Sequence, residues 1–134
     1  MAKVVLIEDD CRLLDVIAGR LRKKDFAVEP ICAETPEDFL TEVAQVIYQH
    51  NPKRTIVLLS DYHLPGIKGI ELIRYARDVA IYLGFEAIRY GIMSSGRDIH
   101  LLPELAAIPT IRKDEGLKSI VGFVENLAAQ GAAH

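Results

Sequence analysis

The chain has 134 residues, a formal net charge of −3 and 50% apolar residues. That length fits one domain with a real core, the apolar share excludes a disordered segment, and the acidic balance excludes a dedicated nucleic-acid binder. No apolar run approaches the roughly 18 residues needed to span a bilayer, and MAKVVLIEDD lacks the pattern of a secretory leader.

KVVLIEDD is apolar and β-branched until it meets three acids, which predicts a buried strand. CRLLDVIAGRLRKK then sets Leu13, Leu14, Ile17 and Leu21 on one helical face and gathers basic residues in its last turn. FAVEPICA reads as a second strand, and Pro30 predicts an edge position for it. TPEDFLTEVAQVIYQH opens a second helix, with Thr35 as N-cap, Pro36 at the first position and Asp38 in the first turn. Its apolar face is Phe39, Leu40, Val43 and Ile47. NPKR ends that helix, and TIVLLS is a third strand that runs into Asp61. KGIELIRYARDVAIYLG is a helix closed by Gly84, and EAIRYGIMS is the fourth strand. RDIHLLPELAA holds only a short helix, because Pro103 interrupts it. IPTIRK is the fifth strand. EGLKSIVGFVENLAAQ is the last helix, with Leu117, Ile120, Val121, Val124, Leu127 and Ala128 at helical spacing.

This alternation predicts an α/β fold: a doubly wound, three-layer parallel sheet of five strands with five helices on its two faces. One domain is expected over residues 1–134, with its core over about 3–129 and a fraying tail from 130. Cys11 and Cys32 show neither metal-ligand spacing nor a disulfide framework, and are expected as free thiols in a reducing cytoplasm.

Ligands of such sheets bind at the carboxyl ends of the strands. Strand one ends in Glu8, Asp9 and Asp10, and strand three ends in Asp61. Asp10 stands where a cap is needed before the helix that begins at Cys11. If strands one and three are neighbours, the acids converge, and like charges about 4 Å apart repel by roughly 4 kcal/mol per pair at an effective dielectric near 20. A hard divalent cation with oxygen ligands offsets that repulsion, and Mg²⁺ (or Mn²⁺) suits a site of two or three carboxylates. Ser94, after strand four, offers a hydroxyl, and Lys113, after strand five, an ammonium. A carboxylate in this company can attack phosphorus and form an acyl phosphate, while cation, hydroxyl and ammonium stabilise the transferred charge.

With these residues in order, the chain resembles a response-regulator receiver domain, the chemotaxis-type phosphoacceptor module, over roughly residues 3–129. VVLIEDD resembles the first strand with its acid pair, Glu8 and Asp9. LLSDYHLPGIKG resembles the phosphorylation segment, with Asp61 at the acceptor position, Pro65 and Gly69 in the turn, and His63 where a backbone carbonyl binds the metal. IMSS matches the switch hydroxyl at Ser94, and IRK the lysine at Lys113. The resemblance implies the flavodoxin-like strand order 2-1-3-4-5. It also implies a sensor histidine kinase or histidine phosphotransfer protein as donor, Mg²⁺ as cofactor, and a face of the fourth helix, fifth strand and fifth helix that responds to the phosphoryl group. The chain is then a phosphoacceptor rather than an enzyme. Nucleic acid and membrane are not expected as partners, and the state expected is a monomer or weak homodimer.

The chain departs from the family after Lys113, where Asp114 replaces the usual proline, and at Thr110, where an aromatic toggle is usual. A trans bond and a locally different loop are expected at Asp114, which competes for the Lys113 ammonium. Tyr90 is the candidate replacement ring. His63, Thr110 and Asp114 are expected to modulate the site, His63 through water attack on the acyl phosphate. His50, His100 and His134 form no ligand pattern. No output domain fits after residue 129, so a stand-alone switch signalling through protein contacts is the leading expectation. A receiver-like adaptor that works without phosphate is the alternative. A phosphohydrolase is a third reading, disfavoured because His63 occupies the position where such enzymes commonly carry a second aspartate.

Overall fold

A computed structural model describes residues 2–85, 87–95 and 107–130. Its strands are β1 (Lys3–Ile7), β2 (Ala27–Ile31), β3 (Ile56–Asp61), the two-residue β4 (His63–Leu64) and β5 (Ile67–Lys68), β6 (Ile88–Ser94) and β7 (Thr110–Arg112). Its helices are α1 (Cys11–Lys23), α2 (Pro36–Gln49), α3 (Gly69–Tyr82) and α4 (Leu117–Gln130). The main sheet has the order β2-β1-β3-β6-β7, and every neighbouring pair in it is parallel. Counted along the chain as five strands, this is the doubly wound order 2-1-3-4-5. β4 and β5 form a small antiparallel ribbon between β3 and α3. The short helix expected between Arg97 and Ala107, with Pro103, falls almost wholly outside the described residues, so four of the five expected helices are described. No helix among the described residues is long and apolar enough to cross a membrane.

The uninterrupted apolar runs of β1 and β3 follow from burial on both faces. Val5, Ile7, Ile56 and Leu58 pack with α2 and α3, and Val4, Leu6, Val57 and Leu59 pack with α1 and α4. β2 lies at an edge, as Pro30 requires of a strand that contains it. The helix starts follow local chemistry. Asp10 Oδ1 accepts from the amides of Arg12 (3.1 Å) and Leu13 (3.2 Å) at the head of α1, and Thr35 Oγ1 accepts from Asp38 at the head of α2. Past α3, Gly84 takes a left-handed φ of 83°, the conformation a helix-closing glycine supplies.

One expectation is corrected here. Cys11 and Cys32 are not free thiols but a disulfide, with Cα atoms 5.7 Å apart. Parallel pairing of Ile7 with Ile31 brings the residues just past β1 and β2 to the same sheet edge, so a separation of 21 residues in sequence becomes one side-chain contact in space.

Gly69 sits where β3, the ribbon and α3 converge. A Cβ there would lie 2.1 Å from the Asp61 carbonyl oxygen, and the Gly69 amide donates to the Tyr62 carbonyl at 2.6 Å. Backbone on both sides leaves nothing that can yield. Gly69→Ala is therefore expected to destabilise the fold by about 1–3 kcal/mol in urea unfolding. Gly19, inside α1, has open space where its Cβ would be, and Gly19→Ala is expected to stabilise by about 0.5–1 kcal/mol in the same measurement.

Candidate functional site

The parallel register delivers the site. Ile7 pairs with Ser60, so Glu8 emerges beside Asp61, the last residue of β3. Asp61 pairs in turn with Met93, and Ser94 with Arg112. Glu8, Asp61, Ser94 and Lys113 thus come from four adjacent strand ends at the carboxyl edge of the sheet. Glu8, Asp61 and Ser94 are buried, and Asp9 is exposed.

Carboxylate oxygens of Glu8, Asp9 and Asp61 all lie within 4.8 Å of one another. Lys113 Nζ donates to Asp61 Oδ2 at 2.9 Å and makes an ion pair with Glu8 Oε2 at 2.8 Å. Glu8 Oε1 accepts from the Asp10 amide at 3.2 Å. With all three acids ionised, one lysine leaves two negative charges in excess. An all-oxygen donor set carrying that charge fits a hard divalent cation such as Mg²⁺. Burial drives the Glu8 carboxyl up to about 7, helped by the charge on Asp61 and opposed by its hydrogen bond to Lys113. Burial works against the Lys113 ammonium, but its hydrogen bonds to Glu8 and Asp61 outweigh that and hold its pKa above the ordinary lysine value.

The remaining expected residues fall as follows. His63 lies on the short ribbon paired with Lys68, its side chain exposed and its ring edge-on to Tyr62 at 4.8 Å between centroids. Pro65 and Gly66 make the turn of that ribbon, with Gly66 at a φ of 76°. No cis peptide occurs among the described residues, and Lys113–Glu115 form a single 3-10 turn closed by Gly116 at a φ of 93°. The expectation that Asp114 competes for Lys113 is corrected: Asp114 pairs with Arg112, while the Arg112 amide donates to Glu115 Oε2 at 3.0 Å. Tyr90 does not stand beside Ser94. It pairs with Leu58, four residues back along β6, and its hydroxyl is pushed up to about 12 by burial. Thr110 pairs with Ile92 at the start of β7. Two contributors went unread in the sequence: Ser60, whose hydroxyl donates to the Asp61 carbonyl at 2.9 Å, and the disulfide beside Asp9. A cysteine directly after β2 and another opening the helix that follows β1, both at the ligand edge, were the available signal for the second.

No family model matches the sequence, and no curated protein matches it. Solved structures do match. A response regulator receiver domain protein from Clostridium thermocellum superposes with a TM-score of 0.76 at 16% identity, over 99% of this chain and 98% of that one. Chemotaxis protein CheY4 of Vibrio cholerae gives 0.72 at 15% identity, over 95% and 98%. Response regulator protein TrrA of Thermotoga maritima, solved in complex with Mg(2+)-BeF, gives 0.71 at 15% identity, over 95% and 99%. At such identities the likeness is one of fold, and the fold of this chain is that of response-regulator receiver domains.

The raised Glu8 pKa has a thermodynamic consequence. Between the unfolded value of 4.5 and about 7, the folded chain binds this proton more tightly than the unfolded chain. Raising the pH through that window therefore favours unfolding. In the presence of a chelator, the urea-unfolding free energy of the parent is expected to fall relative to Glu8→Gln as pH rises through the window. A difference between the two that stays constant with pH would contradict the assignment.

Proposed function

We propose that this chain is a response-regulator receiver in a two-component phosphorelay, and that Asp61 is its phosphoacceptor. The observation that carries the reading is the Lys113 ammonium held 2.9 Å from Asp61 and 2.8 Å from Glu8 at the carboxyl edge of a receiver fold. Nothing in the packing of the core requires that cluster, and its like charges oppose folding.

In the proposed reaction a sensor histidine kinase or histidine phosphotransfer protein presents a phosphohistidine. A carboxylate oxygen of Asp61 attacks phosphorus, the P–N bond breaks, and the histidine nitrogen leaves with the bonding pair. Lys113, already beside that carboxylate, neutralises charge on the phosphoryl oxygens, and Ser94 accepts the switch role by hydrogen bonding to them. Glu8, Asp9, Asp61 and the His63 carbonyl would hold Mg²⁺ (or Mn²⁺), whose charge further offsets that of the phosphoryl group. Pro65 and Gly69 shape the turn that presents Asp61. Engagement of Ser94 then shifts an existing equilibrium of the face formed by β7 and α4. That face meets a downstream protein, and α4 is a reasonable contact for a weak homodimer. The proposed setting is the cytoplasm, with the signal passed on through protein contacts.

The test is an intact mass after incubation with Mg²⁺ and acetyl phosphate. One added phosphoryl group is expected on the parent, none on Asp61→Asn, and none with chelator in place of Mg²⁺. No gain on the parent under any donor would overturn the reading in favour of a phosphate-independent adaptor. Sustained turnover of varied phosphate esters would overturn it in favour of a hydrolase.

A further inference from the structure

The disulfide lies beside the acid cluster. Cys11 is the first residue of α1, and Cys32 follows β2 directly. Next to the bond runs the segment Glu8–Asp10, which supplies two of the three clustered carboxylates. The Asp9 carbonyl oxygen lies 4.0 Å from the Cys11 sulfur and 3.7 Å from the Cys32 sulfur. The segment has other anchors, among them the ion pair of Glu8 with Lys113. The Glu8 amide donates to the Ile31 carbonyl at 3.2 Å, Glu8 accepts from the Asp10 amide, and Asp10 caps α1. Among these contacts none holds the Asp9 carboxylate, which is exposed. The covalent link between α1 and β2 adds a constraint on the backbone at Asp9.

The link is open to chemistry. Cys11 is exposed, and Cys32 lines an open cleft of about 470 Å³ between the end of β2 and α2, shared with Glu34, Asp38 and Glu42. A disulfide inside a reducing compartment is usually transient or redox-sensing rather than structural, and an accessible one is the labile kind.

We infer that Cys11 and Cys32 form a reversible thiol–disulfide site that sets the cation affinity of the acid cluster. The disulfide form holds Asp9 against Glu8 and Asp61, and the dithiol form releases it. The inference rests on the cluster holding a divalent cation, as in the proposed function. The reductant is a dithiol. Its thiolate attacks one cysteine sulfur, the S–S bond breaks, and the other cysteine leaves as thiolate and takes a proton. The second thiol of the reductant then displaces the first cysteine from the mixed disulfide. Two electrons and two protons pass to the cysteine pair, and the dithiol becomes a disulfide. By linkage, a cation that binds the disulfide form more tightly makes that disulfide harder to reduce by the same factor.

The experiment compares two preparations of the parent chain. One is oxidised. The other is reduced with dithiothreitol, which is then removed under argon. Alkylation followed by intact mass verifies no free thiol in the first and two in the second. Mn²⁺ alone is the probe, with free Mn²⁺ read by electron paramagnetic resonance. The oxidised form is expected to bind about five-fold tighter or more. Cys11→Ser and Cys32→Ser are expected to bind like the reduced form and to ignore dithiothreitol. A purely structural bond would not respond to the cation. The second readout is therefore the ratio of reduced to oxidised dithiothreitol that opens half of the disulfide, which Mg²⁺ should raise in the parent and leave unchanged in Asp9→Asn. Equal Mn²⁺ affinity in the two verified forms overturns the inference, as does failure of the pair to oxidise. If that happens while Asp61 still gains a phosphoryl group, the proposed function stands and the redox coupling alone falls. If neither form binds Mn²⁺ and Asp61 gains nothing, the reading of the cluster itself has failed.

Discussion

The site depends on one ammonium reaching two carboxylates. Lys113 follows β7, at one side of the sheet order, while Glu8 follows β1 and Asp61 ends β3. The side chain must therefore pass over the end of β6, which lies between. Strands are about 4.8 Å apart, so this reach uses most of the lysine stem. The residue at the end of β6 is Ser94, small enough to leave the path open. Each carboxylate pair at about 4 Å carries a repulsion of roughly 4 kcal/mol at intermediate dielectric. The lysine is the counter-charge that the chain itself supplies against it. A strand of three residues is enough for this task because Ile111 is buried against α4 and anchors it.

What could be read from the sequence was whatever depends on local chemistry or on the logic of parallel sheets. Asp10, Thr35 and Pro36 mark helix starts because the free amides of a first turn need acceptors. Pro30 marked an edge because it lacks the amide that a central strand needs on one side. The candidate site was legible for a topological reason. Parallel strands all point the same way, so the residues after their carboxyl ends meet regardless of sequence distance, and Glu8, Asp61, Ser94 and Lys113 each follow or end an apolar run.

The misread features depend on register and on pairwise competition, which no periodicity encodes. Cys11 and Cys32 meet only because Ile7 pairs with Ile31 rather than with a neighbour one residue away. Asp114 has two cations beside it in sequence. Arg112 takes it because Lys113 is drawn into the pocket by two acids against one. Tyr90 is the right residue type and shares β6 with Ser94, but its partner is Leu58, away from the ligand edge. Gly69 could be seen as part of a turn, whereas the backbone contact that demands glycine there appears only when the Asp61 carbonyl is in place.

The pocket is flanked by two unlike restraints. On the β7 side the restraint is electrostatic: Lys113 holds Glu8 and Asp61 together through partly buried pairs, which salt screens little. On the β2 side it is covalent, the bond between Cys11 and Cys32 lying beside the Asp9 carbonyl. Glu8 and Asp61 are thus fixed by charge, whereas Asp9, the exposed member, has no such partner among the described contacts. A cluster built this way has its weakest point at Asp9. Lys113, by contrast, keeps Glu8 and Asp61 in place whatever Asp9 does. The arrangement divides labour: burial and Lys113 set where the Asp61 carboxylate lies, and the β1–α1 segment sets where the exposed Asp9 carboxylate joins it.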